Sequence, residues 1–331
     1  MTAGLPKLEL VRHASNAGDV AAMFQLGLRL LIGNEAPFEP KEALGLLERA
    51  MSLGDAAATA QMATLAANGA WMPKDVPLAL EWLQTAATLG SASARGQLKL
   101  LASRDAVDAE AGSGFDAPGC WERLRISIDL AAWHAMPPRQ PVCEAPRIRL
   151  SERFVTADIC RWLIERAREK LKPAMMFDGK KARFEASRNN SDYCFDIVEA
   201  DVILALIRER VSAVTKLPIA MMEPPQVFHY AEGQEIKAHY DHVRAEGGYQ
   251  AERIATFILY LNDDYEGGEL EFPKAGFRHR GRAGDGIYFA NVDQNNAPDM
   301  LTLHAALPVS RGEKFVLSQW IQDQPFGTAS V

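Results

Sequence analysis

A 36-residue period governs the first hundred positions and restricts what they can fold into. The runs Gly18-Asp19-Val20-Ala21-Ala22, Gly54-Asp55-Ala56-Ala57-Ala58 and Gly90-Ser91-Ala92-Ser93-Ala94 recur at that interval, and Gln25, Gln61 and Gln97 keep the same phase. Gly33 matches Gly69, and Ala43-Leu44 matches Ala79-Leu80. A unit this long, rich in Ala and Leu at helical spacing and carrying small residues where helices must approach, cannot bury its apolar face alone. Stacked copies can, so the period predicts a solenoid of helix-turn-helix repeats. Such a stack offers a concave surface to peptides or protein partners, or serves only as a buttress; both readings stand.

The remainder changes character. Residues 103–119, rich in Asp, Ala and Gly, read as a linker or loop. Residues 121–136 fit strand or helix, and Pro137-Pro138 and the prolines of 141–146 mark an irregular connection. Helical periodicity returns over 156–172, with Thr156 or Asp158 as a cap, and over 201–217. From Gln226 onward, short strands broken by Gly, Asp and Pro suggest two facing sheets, a jelly-roll or double-stranded β-helix. The expected architecture is multidomain α + β: a helical repeat solenoid over 1–103, a connecting segment over 104–146, and a jelly-roll catalytic domain with flanking helices over 147–327. With 331 residues, 48% of them hydrophobic, there is material for two cores.

Lys plus Arg number 36 against 43 Asp plus Glu, a net charge of −7 that gives no general attraction to nucleic acid. The four cysteines, Cys120, Cys143, Cys160 and Cys194, lack close pairing, which fits packing thiols in a reducing compartment rather than a thiolate metal site. Neither a secretory leader nor a run long enough to span a bilayer is evident, so a cytoplasmic protein without a membrane partner is expected.

The chemistry concentrates late in the chain. Of seven histidines, only His239 has Asp two residues on, in His239-Tyr240-Asp241. In a strand, residues i and i+2 share a face, so His239 and Asp241 converge while Tyr240 and His242 point away. A third ligand is available in Met300-Leu301-Thr302-Leu303-His304, read as a strand with one buried face. Two histidines and one carboxylate leave open positions on an octahedral metal, the arrangement of non-haem Fe(II) oxygenases. The bland reading of His-x-Asp alone is a hydrogen-bonded strand pair.

Residues 304–314 read as strand, turn, strand, and a hairpin symmetric about Val309 sets Lys314 across from His304. There the ammonium can hold the far end of a dicarboxylate whose near end chelates iron, with the Tyr230 hydroxyl as a second donor. That describes a 2-oxoglutarate pocket. His229 and His279 lack such support, and His13 and His134 read as surface or packing residues.

These residues resemble the prolyl 4-hydroxylase branch of the Fe(II)- and 2-oxoglutarate-dependent dioxygenases over about 148–321. The likeness is carried by Phe228-His229-Tyr230-Ala231-Glu232-Gly233-Gln234 with His239-Tyr240-Asp241, by Arg253-Ile254-Ala255-Thr256 through Tyr260-Leu261-Asn262, and by Glu266-Gly267-Gly268-Glu269-Leu270-Glu271-Phe272-Pro273. Ala283-Gly284-Asp285-Gly286-Ile287-Tyr288-Phe289, His304, Gly312-Glu313-Lys314 and Trp320-Ile321 complete it.

The resemblance implies His239, Asp241 and His304 as iron ligands and catalytic residues, Lys314 and Tyr230 as cosubstrate binders, and Arg253, Trp320 and Arg188 near a peptide substrate. It further implies Fe(II), 2-oxoglutarate and O2, with ascorbate as reductant. Ser187-Arg188-Asn189-Asn190-Ser191 resembles the family's mobile loop over the substrate, and reads equally as a polar surface loop.

Ile236 stands where relatives acting on prolyl peptides often carry an aromatic, and Leu270 where threonine is common. The expected activity is hydroxylation of an unactivated C–H bond in a prolyl residue of a protein or peptide, recruited by the helical repeats. The alternatives are hydroxylation of a free amino acid or other small metabolite, and a non-catalytic adaptor. The Gly-Asp and Ala-Leu phases of the N-terminal region resemble Sel1-like repeats, relatives of the tetratricopeptide family.

Overall fold

The computed structural model describes residues 8–177, 182–183, 187–242 and 251–326. The chain divides into two compact units, Met1–His134 with Asp196–Ile207, and Ala135–Phe195 with Arg208–Val331.

The first unit contains α1 (Leu8–Asn16), α2 (Val20–Ile32), α3 (Pro40–Ser52), α4 (Ala56–Asn68), α5 (Val76–Thr88) and α6 (Ala92–Leu101). The repeated Gly-Asp/Ser pair is a helix boundary. Gly18, Gly54 and Gly90 have φ of 99°, 85° and 103°, and a Cβ at any of them would meet nothing within 4 Å, so backbone conformation rather than space demands glycine. The next residue caps the following helix: Asp19 accepts from the Ala22 N–H at 3.0 Å, Asp55 from Ala58 at 2.6 Å and Ser91 from Ala94 at 3.2 Å. Gly33 and Gly69 close α2 and α4 in the left-handed region. A core of Leu26, Leu30, Leu47, Met62 and Leu65 fills the stack.

Two further features of this unit differ from the sequence reading or go beyond it. The segment read as a linker carries α7 (Arg104–Ala111), α8 (Cys120–Ile126) and α9 (Leu130–His134), the last two resolving the strand-or-helix choice over 121–136. Ser103 caps α7, and Glu110 joins it to α8 through two bonds from Arg123, at 2.6 and 3.0 Å. A cap and an ion pair leave no apolar period to read. In addition, residues 196–207 return to this unit: Ile197 and Val198 pack on its core, the Gln61 side-chain amide donates to the Ile197 carbonyl at 3.0 Å, and the Val202 N–H donates to Gln97 at 2.9 Å. Two of the three phased glutamines thus serve one segment.

In the second unit the described strands are β1 (Gln140–Cys143), β2 (Ile148–Ser151), β3 (Lys172–Pro173), β4 (Met176–Phe177), β5 (Ala182–Arg183), β6 (Ser191–Cys194), β7 (Gln226–Tyr230) and β8 (Ile236–His239). They continue with β9 (Arg253–Tyr260), β10 (Glu266–Gly267), β11 (Leu270–Phe272), β12 (Phe277–His279), β13 (Gly286–Ala290), β14 (His304–Ala306), β15 (Val309–Arg311) and β16 (Lys314–Gln322). An eight-stranded sheet, β1-β2-β13-β9-β16-β7-β6-β3, and a four-stranded one, β12-β11-β14-β8, share a core that includes Phe228, Ile236, Phe272, Ile287, Phe289 and Val316. This is the double-stranded β-helix. Helix α10 (Ala157–Arg168), capped by Thr156, precedes most of the strands, and α11 (Val202–Thr215) begins one residue after Asp201, which accepts from the Leu204 N–H at 2.7 Å.

Two expectations about the ligand hairpin require correction. Residues 300–304 do not form one strand: the Asp299 carboxylate accepts from the Leu301 N–H at 2.9 Å and winds Met300–Thr302 into a 3₁₀ turn, so the strand starts at His304. Nor do β14 and β16 pair as a hairpin about Val309. β14 pairs with β8 and β11, β15 with β10, and β16 with β7 and β9, so Lys314 lies opposite Tyr230 while His304 lies opposite His239. Gly312, at φ 81°, makes the sheet-to-sheet turn where a Cβ would come within 3.0 Å of the Asp264 carbonyl.

Candidate metal centre

Cross-strand pairing of β8 and β14 brings the His239 and His304 rings to 4.4 Å between centroids. β8 ends at His239, and Asp241 follows beyond the ladder with its side chain returned to the same point. One carboxylate oxygen lies 3.6 Å from His239 Nε2 and the other 3.6 Å from His304 Nε2. Each Nδ1 faces a carbonyl, that of Lys237 at 2.8 Å for His239 and that of Thr302 at 2.9 Å for His304. With Nδ1 as the donor, both Nε2 lone pairs face the carboxylate, the tautomer a metal ligand needs. Among the described residues this is the one group of three or more His, Cys, Asp or Glu side chains able to hold a metal ion.

The surroundings fix the carboxylate. Thr256, buried in β9, donates its hydroxyl to Asp241 Oδ2 at 2.7 Å and accepts from the Asn291 amide at 3.1 Å. Burial acts to raise the Asp241 pKa, but His304, His239 and Arg253 outweigh it and hold the carboxyl well below the usual range. Burial, reinforced by His239, lowers His304 to about 4. Near neutrality His304 is therefore an uncharged imidazole and Asp241 a carboxylate, the protonation states that bind a divalent ion.

One pocket joins this triad to Arg188, Tyr230 and Lys314, with Trp320 also in its wall. Residues 314, 316, 318 and 320 of β16 all line it, as the two-residue period of a strand requires. Lys314 is 3% exposed; its ammonium donates to the Gly268 carbonyl at 2.6 Å and sits 4.9 Å from the centre of the Tyr230 ring. No carboxylate among the described residues lies within ion-pair distance of it, and burial lowers its pKa to about 7 against the pull of Glu269. An anionic cosubstrate fits that charge. Burial also raises the Tyr230 phenol, keeping it a neutral donor. Arg188 Nε and Trp320 Nε1 are buried donors without a partner among the described residues.

Arg188 forms an antiparallel bridge to Ile236, so this part of 187–191 is tied to the edge of β8. Arg253 stacks on Trp320 at 3.8 Å and is held by two bonds to Glu223, at 2.6 and 2.7 Å. Ile236 and Leu270 both line the pocket. The sequence reading missed Glu223, Thr256 and Asn291. Thr256 was detectable as the one aliphatic hydroxyl in the run Ile254–Leu261, whereas Asn291, just after β13, and Glu223, just ahead of β7, are brought in by strand pairing alone.

A double-stranded β-helix with two histidines, a carboxylate and a buried lysine in one pocket defines a 2-oxoglutarate-dependent dioxygenase, an enzyme that uses Fe(II), 2-oxoglutarate and O2. The model of the 2OG-Fe(II) oxygenase superfamily matches residues 225–322. Prolyl 4-hydroxylase 13 of Arabidopsis thaliana is 31% identical over 199 residues, covering 55% of this chain and 73% of the relative. The chain belongs to the prolyl 4-hydroxylase family of these oxygenases. Among solved structures, a viral collagen prolyl hydroxylase from Paramecium Bursaria Chlorella virus-1, in complex with 2-oxoglutarate, is 28% identical, with 55% of this chain and 98% of that one covered and a TM-score of 0.44. A Sel1 repeat protein from Oxalobacter formigenes is 25% identical, with 37% and 99% covered and a TM-score of 0.30.

Proposed function

We propose that the protein hydroxylates a prolyl residue of a polypeptide, holding Fe(II) on His239 Nε2, His304 Nε2 and the Asp241 carboxylate. The observation that carries this reading is the convergence of those three groups in a pocket that also contains a buried, carboxylate-free lysine. When bound, the metal with 2-oxoglutarate and O2 supplies the oxidising power that attacks an unactivated C–H bond. The chain's own residues do the rest. Lys314 and Tyr230 grip the distal carboxylate of 2-oxoglutarate, and Thr256 fixes the Asp241 rotamer. The apolar walls formed by Phe228, Ile258 and Val316 exclude water.

Trp320 Nε1 and Arg188 Nε offer hydrogen bonds to the polypeptide, and Arg253 supports Trp320 from behind. Ascorbate would be the reductant for the metal, as the family resemblance implies. A reducing, cytoplasmic setting is supported by Cys120, Cys143 and Cys160, which are free thiols. Recruitment of the polypeptide by the helical repeats is the second half of this reading, supported by the repeat architecture alone.

Incubating proline-containing polypeptides with the enzyme, Fe(II) and 2-oxoglutarate should add one oxygen to a prolyl residue by mass spectrometry, and Asp241→Ala should abolish it. Activity confined to free amino acids would transfer the assignment to a metabolite hydroxylase.

A further inference from the structure

Away from the metal pocket, the face of the large sheet that β2 and β13 turn from the core carries a concentration of positive charge. Ile148, Leu150, Ile287 and Phe289 point into the core, so the alternate residues Arg149 and Tyr288, which are cross-strand partners, point the other way. They line a cleft of about 400 Å³ together with Arg139, Arg147, Thr215 and Lys216. Four of its lining residues are cations and none is acidic. A cleft of about 610 Å³ elsewhere in this unit shows the ordinary case: Arg161 and Arg168 are matched there by Glu165, Asp263, Asp264 and Glu313, with Arg168 and Glu313 paired at 2.9 Å.

The three arginines are also held in place. Arg147 donates to the Val292 carbonyl at 2.9 Å, Arg149 to those of Cys143 and Ile148 at 3.0 Å, and Arg139 to that of Val214. A guanidinium has five N–H groups, so each arginine keeps donors beyond those anchors. Among the described residues, local negative charge does not balance them. The exposed Glu144 takes up one charge of Arg149 at 2.8 Å, and the C-terminal end of α11 contributes roughly half a negative charge. Roughly two and a half positive charges remain on a protein whose net charge is −7. Burial raises the Tyr288 phenol even though Arg147, Arg139 and Arg149 lower it, so it stays a neutral donor at the wall.

We propose that this cleft is an anion site for a phosphate or polycarboxylate group of at least two negative charges, brought either by a small molecule or by an acidic stretch of polypeptide. It shares no lining residue with the metal pocket, so the site stands or falls independently of the hydroxylase reading.

The test is calorimetric titration of the full chain, without added metal or 2-oxoglutarate, with inorganic phosphate, citrate and a penta-glutamate peptide in turn. Saturable binding at one equivalent is expected, weakening as salt is raised. Lys216→Asn removes one charge, suits the left-handed backbone at that exposed position (φ 63°), and should weaken binding at least threefold. Combined with Arg139→Gln it should weaken binding at least tenfold, with hydroxylation unchanged. Tightest binding by the peptide identifies a polypeptide source, and tightest binding by phosphate or citrate a small molecule. Absence of saturable binding by all three probes, or binding that both variants leave intact, overturns the proposal.

Discussion

Replacing Thr256 with valine isolates the part of the metal centre that sequence reading missed. The two side chains have nearly the same shape, and Thr256 is 1% exposed, so the change removes a hydroxyl without opening a cavity. The lost bond, 2.7 Å to a buried carboxylate, is charge-assisted and contributes about 1.5–3 kcal/mol. The Asn291 amide loses its 3.1 Å acceptor as well and keeps, among the described residues, the Arg253 carbonyl at 3.3 Å. Because the hydroxyl contacts Asp241 in the metal-free structure, the apo protein should lose about 1.5–3 kcal/mol of stability.

The effect on metal affinity is separate. It arises because Asp241, once untethered, must be reoriented on binding, and partners of this kind are worth about 10- to 100-fold. Equilibrium titration with Mn(II), read by its paramagnetic resonance signal, gives the affinity, and urea denaturation of the apo protein gives the stability. Thr256→Ser, which retains the hydroxyl, should recover most of the metal affinity. A valine variant that binds Mn(II) as tightly as the parent would refute the tethering argument.

Lys314 makes pH a probe of the cosubstrate pocket. Its pKa falls from 10.5 to about 7 on burial, so between those values the folded state binds fewer protons than the unfolded one and apo stability rises with pH. 2-Oxoglutarate requires the ammonium, so its binding above pH about 7 should take up a proton and weaken as pH rises, measurable by calorimetry in buffers of different ionisation enthalpy. Affinity unchanged between pH about 7 and about 9 would contradict the assignment. Lys314→Ala should weaken 2-oxoglutarate binding while sparing Mn(II) binding, a split that titrating each ligand separately detects. Glu223→Ala leaves the Arg253 guanidinium without its bidentate partner and should cost about 3 kcal/mol in denaturant unfolding. In the repeats, Asp55→Ala removes the cap on α4 and should cost about 1 kcal/mol, with Asp55→Asn close to neutral.

Signals set by short-range periodicity are legible in the sequence itself. The Gly-Asp/Ser boundary recurs because each copy needs a left-handed residue followed by a cap, so Gly54-Asp55 advertises its own geometry. His239 and Asp241 were paired by strand parity although Asp241 lies beyond the ladder, because their spacing still returns both side chains to one side. What failed was pairing over distance. Lys314 reaches the pocket through register with Tyr230 rather than by folding back on His304, and the sequence of the connection does not announce a crossing between sheets. Asp299 bent an apparently alternating run into a turn by a single side-chain bond. Glu110 and Arg123 hold α7 to α8 without an apolar stripe, so composition read as linker.

The return of residues 196–207 to the helical unit bears on how this protein can be dissected. A fragment stopping at His134 would forfeit Ile197 and Val198 from its core and strip Gln61 and Gln97 of their partners in that segment. A fragment starting at Ala135 would carry Val202, Ile203, Leu204 and Leu206, none more than 1% exposed in the intact chain, as a naked greasy stretch prone to clumping. A single cut in this chain therefore finds no clean seam between the helices and the oxygenase.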